Sequence, residues 1–409
     1  MSDPNQLART RHTFGVFRDH EADWVFGRTL QHMNVGAAQT GESLDAARKI
    51  DEKMPDSWAR EWGRVAEMVE KHGDESLSMG RTTSAKYSYL RASNYYRTAE
   101  YGVRPSHPSF NALWEKSVKC FHEAAKCFRD PVTIVEVPVD GYMLPGYYWR
   151  ASADESRPTL ILVGGNDGTI EENFLAFGFA AHERGYNFFT FDHPGHRGAV
   201  HLYPGCVKRP DYEVPYRQAL DFVAALPGVD DRMVVAGESF GGYVACRVIS
   251  NDCRVTAAVL NSPIIDVHEM GFSQWKGFIT RIPRPLLGAL IERKWRKSPL
   301  TYALKEYSAW SAGMKLTTDI DSMSEYYREW RVPDEMLRKV TCPVLAMVSR
   351  GDGPVLLRQA EKFLMLVSSE SKMLHVFSLE EDGSDDHVQL DNLSRGNQVM
   401  FDWIDGVLA

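Results

Sequence analysis

The chain has no long apolar run, no excess of positive charge and few cysteines, and each shortage removes a class of function. No stretch of its 409 residues approaches the roughly 20 consecutive apolar residues that a membrane span requires, so no membrane partner is expected. Lys and Arg number 47 against 55 Asp and Glu, a formal charge of −8. That balance leaves no basic footprint for nucleic acid and argues against anionic membrane surfaces. The cysteines, Cys120, Cys127, Cys206, Cys246, Cys253 and Cys342, are scattered without a CxxC pair. Neither a zinc site nor a dithiol redox motif is therefore indicated, and no metal or organic cofactor is expected. Cys246 and Cys342 sit in apolar patterns and read as buried free thiols. The start, MSDPNQLARTRHTFG, has neither the apolar core nor the cleavage pattern of a signal peptide. The chain reads as cytoplasmic. Internal repeats and low-complexity tracts are absent as well.

What is present is an ordinary globular composition, 44% apolar and 25% charged, in a chain longer than one hydrophobic core usually needs. A large domain with an accessory part is the expectation. Residues 1–131 read as a helical N-terminal cap. In DSWAREWGRVAEMVEKHG, Trp58, Trp62, Val65 and Val69 recur at one helical face, with Asp56 or Ser57 as a cap and Gly73 as a stop. The Tyr- and Trp-rich helices that follow are core by default, yet such a layer is also suited to roofing a pocket, with Tyr95 as a pocket-lining candidate.

The pattern changes at PVTIVEVPVDGYMLPGYYWRA, where two extended runs flank Asp140-Gly141, a strong hairpin signal. Strand candidates then alternate with helical stretches at 159–163, 187–191, 233–236, 255–260, 343–348 and 374–378. Continuous apolar strands in β-α alternation predict an α/β fold, a mostly parallel sheet of about eight strands covered by helices on both faces. The core is divided into 132–266 and 331–409. Between them, 267–330 is too long for a plain crossover and reads as an inserted helical lid.

Gly237-Glu238-Ser239-Phe240-Gly241 matches GxSxG. Composition alone produces that string in roughly one chain in ten of this length, so it carries weight only in context. The context is a β-branched strand before it and an apolar helix pattern after it, the strand–turn–helix setting of a nucleophile elbow. A serine hydroxyl needs a base and a group to orient that base. In this setting the partners follow in the order Ser, acid, His, each after a later strand. Asp352 in VSRGDGPV and His387 in EEDGSDDHVQL fall at those places. Alone, Asp352 would be a turn former and His387 a solvated loop residue; the order of the three favours a triad. His193 and His196, after an earlier strand, are competing bases.

Acyl transfer also needs donors for an oxyanion. The Phe240 N–H is the first expected, and the loop LVGGNDGTIEE supplies the second, where Gly164 and Gly165 let the backbone approach and leave the Asn166 N–H. A glycine turn opening a helix capped by Asp167 or Thr169 is compatible with that role. Gly165, Glu238 and His193 join Tyr95 as pocket-lining candidates. Glu238 is expected to hydrogen-bond locally, and the turn FDHPGHRGA is read chiefly as structural.

GESFG with Asp352 and His387 in this order resembles the α/β-hydrolase superfamily over residues 132–409. LRASNYYRTAEY, VGGNDGTIEE and FDHPGHRGA are similar to a branch with a helical N-terminal domain, which includes the 2,6-dihydroxypseudooxynicotine hydrolases and fungal polyketide-shortening hydrolases of the heptaketide type. The resemblance implies the triad Ser239, Asp352 and His387. It also implies cleavage of a C–C bond beside a carbonyl in a β-dicarbonyl, polyketide or acyl-aromatic small molecule of secondary metabolism, and makes a homodimer plausible. The aromatic cap and the lid suggest a bulky, apolar or aromatic substrate. The same machinery suits an ester or thioester hydrolase or an acyltransferase, and a hydrolase-fold binding protein without turnover stays open. A covalent acyl-enzyme and direct activation of water by His387 are both open as routes.

Overall fold

The structure is a computed structural model that describes residues 14–272 and 282–409. Residues 273–281, which the sequence assigns to the lid, lie outside them. One sheet contains β1 Thr133–Val139, β2 Tyr142–Trp149, β3 Arg157–Val163, β4 Asn187–Phe191, β5 Val229–Glu238, β6 Val255–Asn261, β7 Val344–Ser349 and β8 Lys372–Phe377. Its order is β1-β2-β4-β3-β5-β6-β7-β8. The β1–β2 pair is antiparallel across Asp140-Gly141, with φ of 49° and 82°. Positive φ at both turn residues is what a two-residue type I′ hairpin demands, which is why the Asp-Gly pair stands there. β2 runs antiparallel to β4, and the remaining ladders are parallel.

The central strands are buried on both faces, β4 and β7 at every position. This explains why they are apolar almost throughout; the polar residues of β4, Asn187 and Thr190, have their side chains hydrogen-bonded. One face packs against a layer containing Tyr216, Leu220, Val244 and Phe363, and the other against Phe174, Leu175, Met400 and Ile404. Cys246 is buried as expected, whereas Cys342 is only half-buried, because it precedes β7 and lies outside the sheet.

The N-terminal part is helical: α1 His20–Leu30, α2 Thr40–Ala47, α3 Ser57–Ser78, α4 Thr82–Tyr101 and α5 Ser109–Lys126. α3 buries Trp58, Trp62, Val65 and Val69 on one face, as the 3.6-residue spacing dictates. It does not stop at Gly73. A Cβ there would lie 2.7 Å from the Tyr89 ring, so this glycine marks the close approach of α3 to α4.

Between β6 and β7 the chain forms helices Val267–Phe272, Arg284–Trp295, Pro299–Ser311 and Ile320–Tyr327. Pro299–Ser311 begins with the Ser298 side chain accepting the Thr301 N–H at 3.0 Å and proline at the first helical position, the usual start signals. It buries Leu300 among Phe26, Trp58 and Tyr95, and Tyr307 beside Val103 and Phe110. The insertion thus packs on the N-terminal helices. From β3 the chain passes to β4 on one side and returns to β5 on the other. That reversal opens a crevice at the C-terminal ends of β3 and β5, where open α/β sheets bind ligands.

Candidate active site

Ser239 stands at that crevice, between β5 and the helix Phe240–Ile249. Its backbone has φ 53° and ψ −122°, a conformation that costs an L-residue energy and persists only where its surroundings impose it. They do so through close packing. A Cβ on Gly237 would lie 2.3 Å from the Gly241 carbonyl oxygen, and one on Gly241 2.1 Å from that of Val163. The Ser239 N–H donates to the Asn261 carbonyl at 2.6 Å. The next amide, Phe240 N–H, opens the helix and has no intrahelical acceptor of its own.

His387 lies in the turn after β8, with Nε2 2.8 Å from Ser239 Oγ. Its Nδ1 is 2.5 Å from Asp352 Oδ1. Asp352 follows β7, and its Oδ2 accepts the Ser349 N–H at 3.3 Å. These three side chains, 35 and 148 positions apart for the two contacts of His387, form one chain of hydrogen bonds. Such an arrangement lets a base take the hydroxyl proton while a carboxylate holds the imidazole tautomer.

The loop after β3 closes over the serine. A Cβ on Gly165 would meet Ser239 Cβ at 3.2 Å and Oγ at 3.8 Å. Asn166 is half-buried beside it, and its side chain is held by Lys208 at Oδ1 and by Ser308 Oγ, 3.4 Å from Nδ2. Thr169, rather than Asp167, caps the following helix, accepting the Glu172 N–H at 3.1 Å.

Residues 160–391 match the alpha/beta hydrolase family. The chain belongs to that family. The hydrolase is similar to the alpha/beta hydrolase gkaG of Penicillium citrinum, 28% identical over 366 residues and 83% of each chain. Its similarity to the hydrolyase ccsE of Aspergillus clavatus is 29% over 413 residues, covering 90% of this chain and 91% of that one. Among solved structures, 2,6-dihydroxy-pseudo-oxynicotine hydrolase superposes with a TM-score of 0.71 at 20% identity, over 93% of this chain and 96% of that one. AbyA5 superposes with 0.59 at 16% identity, over 89% of each. The helices before β1 are thus part of the shared fold.

In this hydrolase the two competing histidines stand elsewhere. His193 is buried against the loop, with Nε2 3.4 Å from the Gly164 carbonyl and Nδ1 3.1 Å from that of Pro194. Burial, then the neighbouring His196, push its pKa down to about 3, so it braces the loop as a neutral ring. His196 is paired with Asp192. Tyr95 is not at the pocket. Its ring packs on Trp62 inside the helical layer, and its hydroxyl donates to Glu42 and accepts from the Gln39 N–H, both at 2.7 Å. The α4 aromatics fill their own core because that layer needs one. Glu238 makes no side-chain hydrogen bond to a described residue, and burial, reinforced by Glu172, lifts its carboxyl to about 7.

What the motifs did not reveal is a buried ionic network tying α1 and α4 to the loop. Arg28 donates to Glu172 at 2.6 and 2.5 Å and to Asp167 at 3.3 Å. Tyr101 donates to Asp167 at 2.9 Å. Arg97 stands 3.3 Å from Glu172, and Arg197 pairs with Glu100 while reaching the Asp167 carbonyl at 3.1 Å. Burial opposes the charge on Glu172, but Arg28 and Arg97 outweigh it and hold the carboxyl well below the usual range. The sequence signal was a set of charged residues placed among the aromatic residues of α1 and α4. Among the described residues, no group of three or more His, Cys, Asp or Glu is placed to hold a metal ion.

Trp24 on α1 carries the same coupling to the His387 turn. Its Nε1 donates to Asp386 Oδ2 at 2.9 Å, and Asp386 Oδ1 accepts the His387 N–H at 2.8 Å. Burial lifts the Asp386 carboxyl to about 6, so that group depends on its donors. Trp24→Phe keeps the ring and removes one donor. We expect turnover to fall about three- to tenfold, the worth of roughly 1 kcal/mol, with KM unchanged, as steady-state kinetics would show.

Proposed function

We propose that the protein is a serine hydrolase that cleaves a C–C bond beside a carbonyl in a β-dicarbonyl, polyketide-like or acyl-aromatic small molecule. The observation that carries the nucleophile is the Asp352–His387–Ser239 hydrogen-bond chain, with Ser239 in a strained elbow under Gly165. Ser239 Oγ adds to the carbonyl carbon as His387 Nε2 takes its proton and Asp352 holds the imidazolium. The N–H groups of Phe240 and Asn166 receive the developing oxyanion. Collapse of this adduct breaks the C–C bond, and the electron pair moves onto the neighbouring carbonyl as an enolate. The imidazolium returns the proton to the enolate carbon. Water, deprotonated by His387, then releases the acyl group as a carboxylic acid.

The C–C reading is supported by the N-terminal helices, which the fold shares with 2,6-dihydroxy-pseudo-oxynicotine hydrolase and which here reach both the loop and the His387 turn. A fluorophosphonate probe should label wild type at Ser239. With benzoylacetone, a simple bulky 1,3-diketone, one water should be consumed per molecule of acid and ketone released, followed by chromatography. Labelling together with ester turnover but no acid from any 1,3-diketone would replace this reading with an esterase. Absence of labelling in the folded protein would remove the nucleophile.

A further inference from the structure

Lys208 is a buried cation next to the proposed oxyanion donors that the mechanism above leaves unused. Its backbone is fixed by its N–H donating to the Ser311 carbonyl at 2.9 Å. Its stem crosses Gly195, where φ is +78° and a Cβ would lie 2.2 Å from Lys208 Cγ; any side chain there would displace the lysine. The ammonium donates to Asn166 Oδ1, one residue from the glycine that touches Ser239. It stands 5.6 Å from the centre of the Phe240 ring and 6.0 Å from that of Tyr307.

Two features of this corner point to an absent partner. An ammonium has three donors, and for Lys208 Nζ the described residues provide one hydrogen-bond acceptor, Asn166, and no carboxylate at ion-pair distance. The carboxylate whose field favours it, Asp167, is engaged by Arg28 and Tyr101. The Tyr307 hydroxyl is also buried, with its residue 2% exposed, and has no hydrogen-bond partner among the described residues. Burying an ammonium and a hydroxyl with donors unmet is costly. A ligand oxygen placed between them would meet both needs. Burial brings the ammonium down to about 7, with Asp167 opposing and Arg197 adding, so an arriving anionic oxygen would favour its protonated form.

We propose that Lys208, with Tyr307 beside it, forms a second-oxygen site for the substrate: the ammonium binds the oxygen in 1,3 relation to the carbonyl that Ser239 attacks. This rests on the C–C cleavage reading and deepens it. When the C–C bond breaks, the electron pair becomes an enolate whose charge lies on that second oxygen, and Lys208 stabilises it there while the imidazolium protonates the enolate carbon. Asn166 links the two oxygen sites, its backbone facing one and its side chain orienting the lysine of the other. The substrate class is thereby narrowed to 1,3-dicarbonyl compounds and their enols.

The test compares benzyl acetoacetate with benzyl butyrate, which share a leaving group and chain length and differ in the 3-oxo group. Release of benzyl alcohol is measured for wild type, Lys208→Met and Lys208→Arg. The expected result is a wild-type preference for the 3-oxo ester beyond its uncatalysed reactivity. Lys208→Met should cut turnover of that ester about 30- to 100-fold more than turnover of the butyrate, the scale of a charge-assisted hydrogen bond. Lys208→Arg should restore part of the preference. An equal loss on both esters, or no loss on either, overturns the proposal, as does a wild type without preference. If the methionine variant does not fold, Lys208→Gln and the wild-type ratio carry the same reading. Because both probes are esters, the outcome is separate from that with benzoylacetone. An enzyme that leaves the diketone intact yet prefers the 3-oxo ester in a Lys208-dependent way would sink C–C cleavage and keep the oxygen site.

Discussion

Ser239→Ala is expected to lower kcat by about 10⁵-fold, with the fold and KM little changed. The size follows from how the hydrogen-bond chain works as a unit: without Oγ, His387 has no hydroxyl proton to take and no nucleophile to activate, and only the N–H donors and binding remain. Alanine keeps Cβ, so the close packing of Gly165 against it is not perturbed, and thermal melting should confirm an intact fold. Asp352→Asn should cost about 10⁴-fold by imposing the wrong imidazole tautomer. The informative surprise would be Ser239→Ala with most of its turnover of the diketone. That outcome would discard the acyl-enzyme and assign His387 to activation of water, which its Nε2 could then reach directly.

Arg28→Met is expected to destabilise the protein by about 3–5 kcal/mol, the range for removing one partner from a buried ionic cluster. Arg28 supplies three donors to Glu172 and Asp167. Without it these carboxylates lose their main partner, Arg97 and His32 remaining beside Glu172 and Tyr101 beside Asp167. Methionine fills the space but leaves the charge. Removing both ends, Arg28→Met with Glu172→Met, should recover much of the loss, since a buried pair replaced by apolar side chains is often neutral. The pH dependence has a definite sign. The folded-state pKa of Glu172 is depressed, so its contribution is present above the unfolded carboxylate range and lost as pH falls through it. The deficit of Arg28→Met, measured by denaturant unfolding, should therefore be largest near neutrality and shrink below about pH 4. A constant deficit at all pH values would assign the effect to packing. Turnover should fall as well, because Asp167 belongs to the loop that covers Ser239.

Much of this could be read along the chain because it depends on local order. Short, mostly apolar runs without polar alternation, such as LILV in TLILV, state that both sheet faces are covered, and Asp140-Gly141 states a turn with positive φ. The serine, the acid and the histidine each follow a strand, so their order along the chain already implied a common edge of the sheet. Gly237 and Gly241 were legible too, since a tight strand–helix turn leaves no room for a Cβ. Other features depend on which segments meet, and no local pattern records that. Gly73 resembled a stop signal but serves the approach of Tyr89. Tyr95 resembled a pocket residue but fills the interior of its own layer.

By itself, the sequence determined the α/β sheet, the elbow and the three residues at its edge, because periodicity, turn chemistry and strand order are properties of neighbouring residues. The tertiary structure alone decided what surrounds them: Trp24 behind the histidine turn, Arg28 and Arg97 beneath the loop, Lys208 and Tyr307 at its open side. These residues are brought together by burial of helices far apart in the chain. A charge among the aromatic residues of a helix acquires a meaning only when its partner across the interface is known.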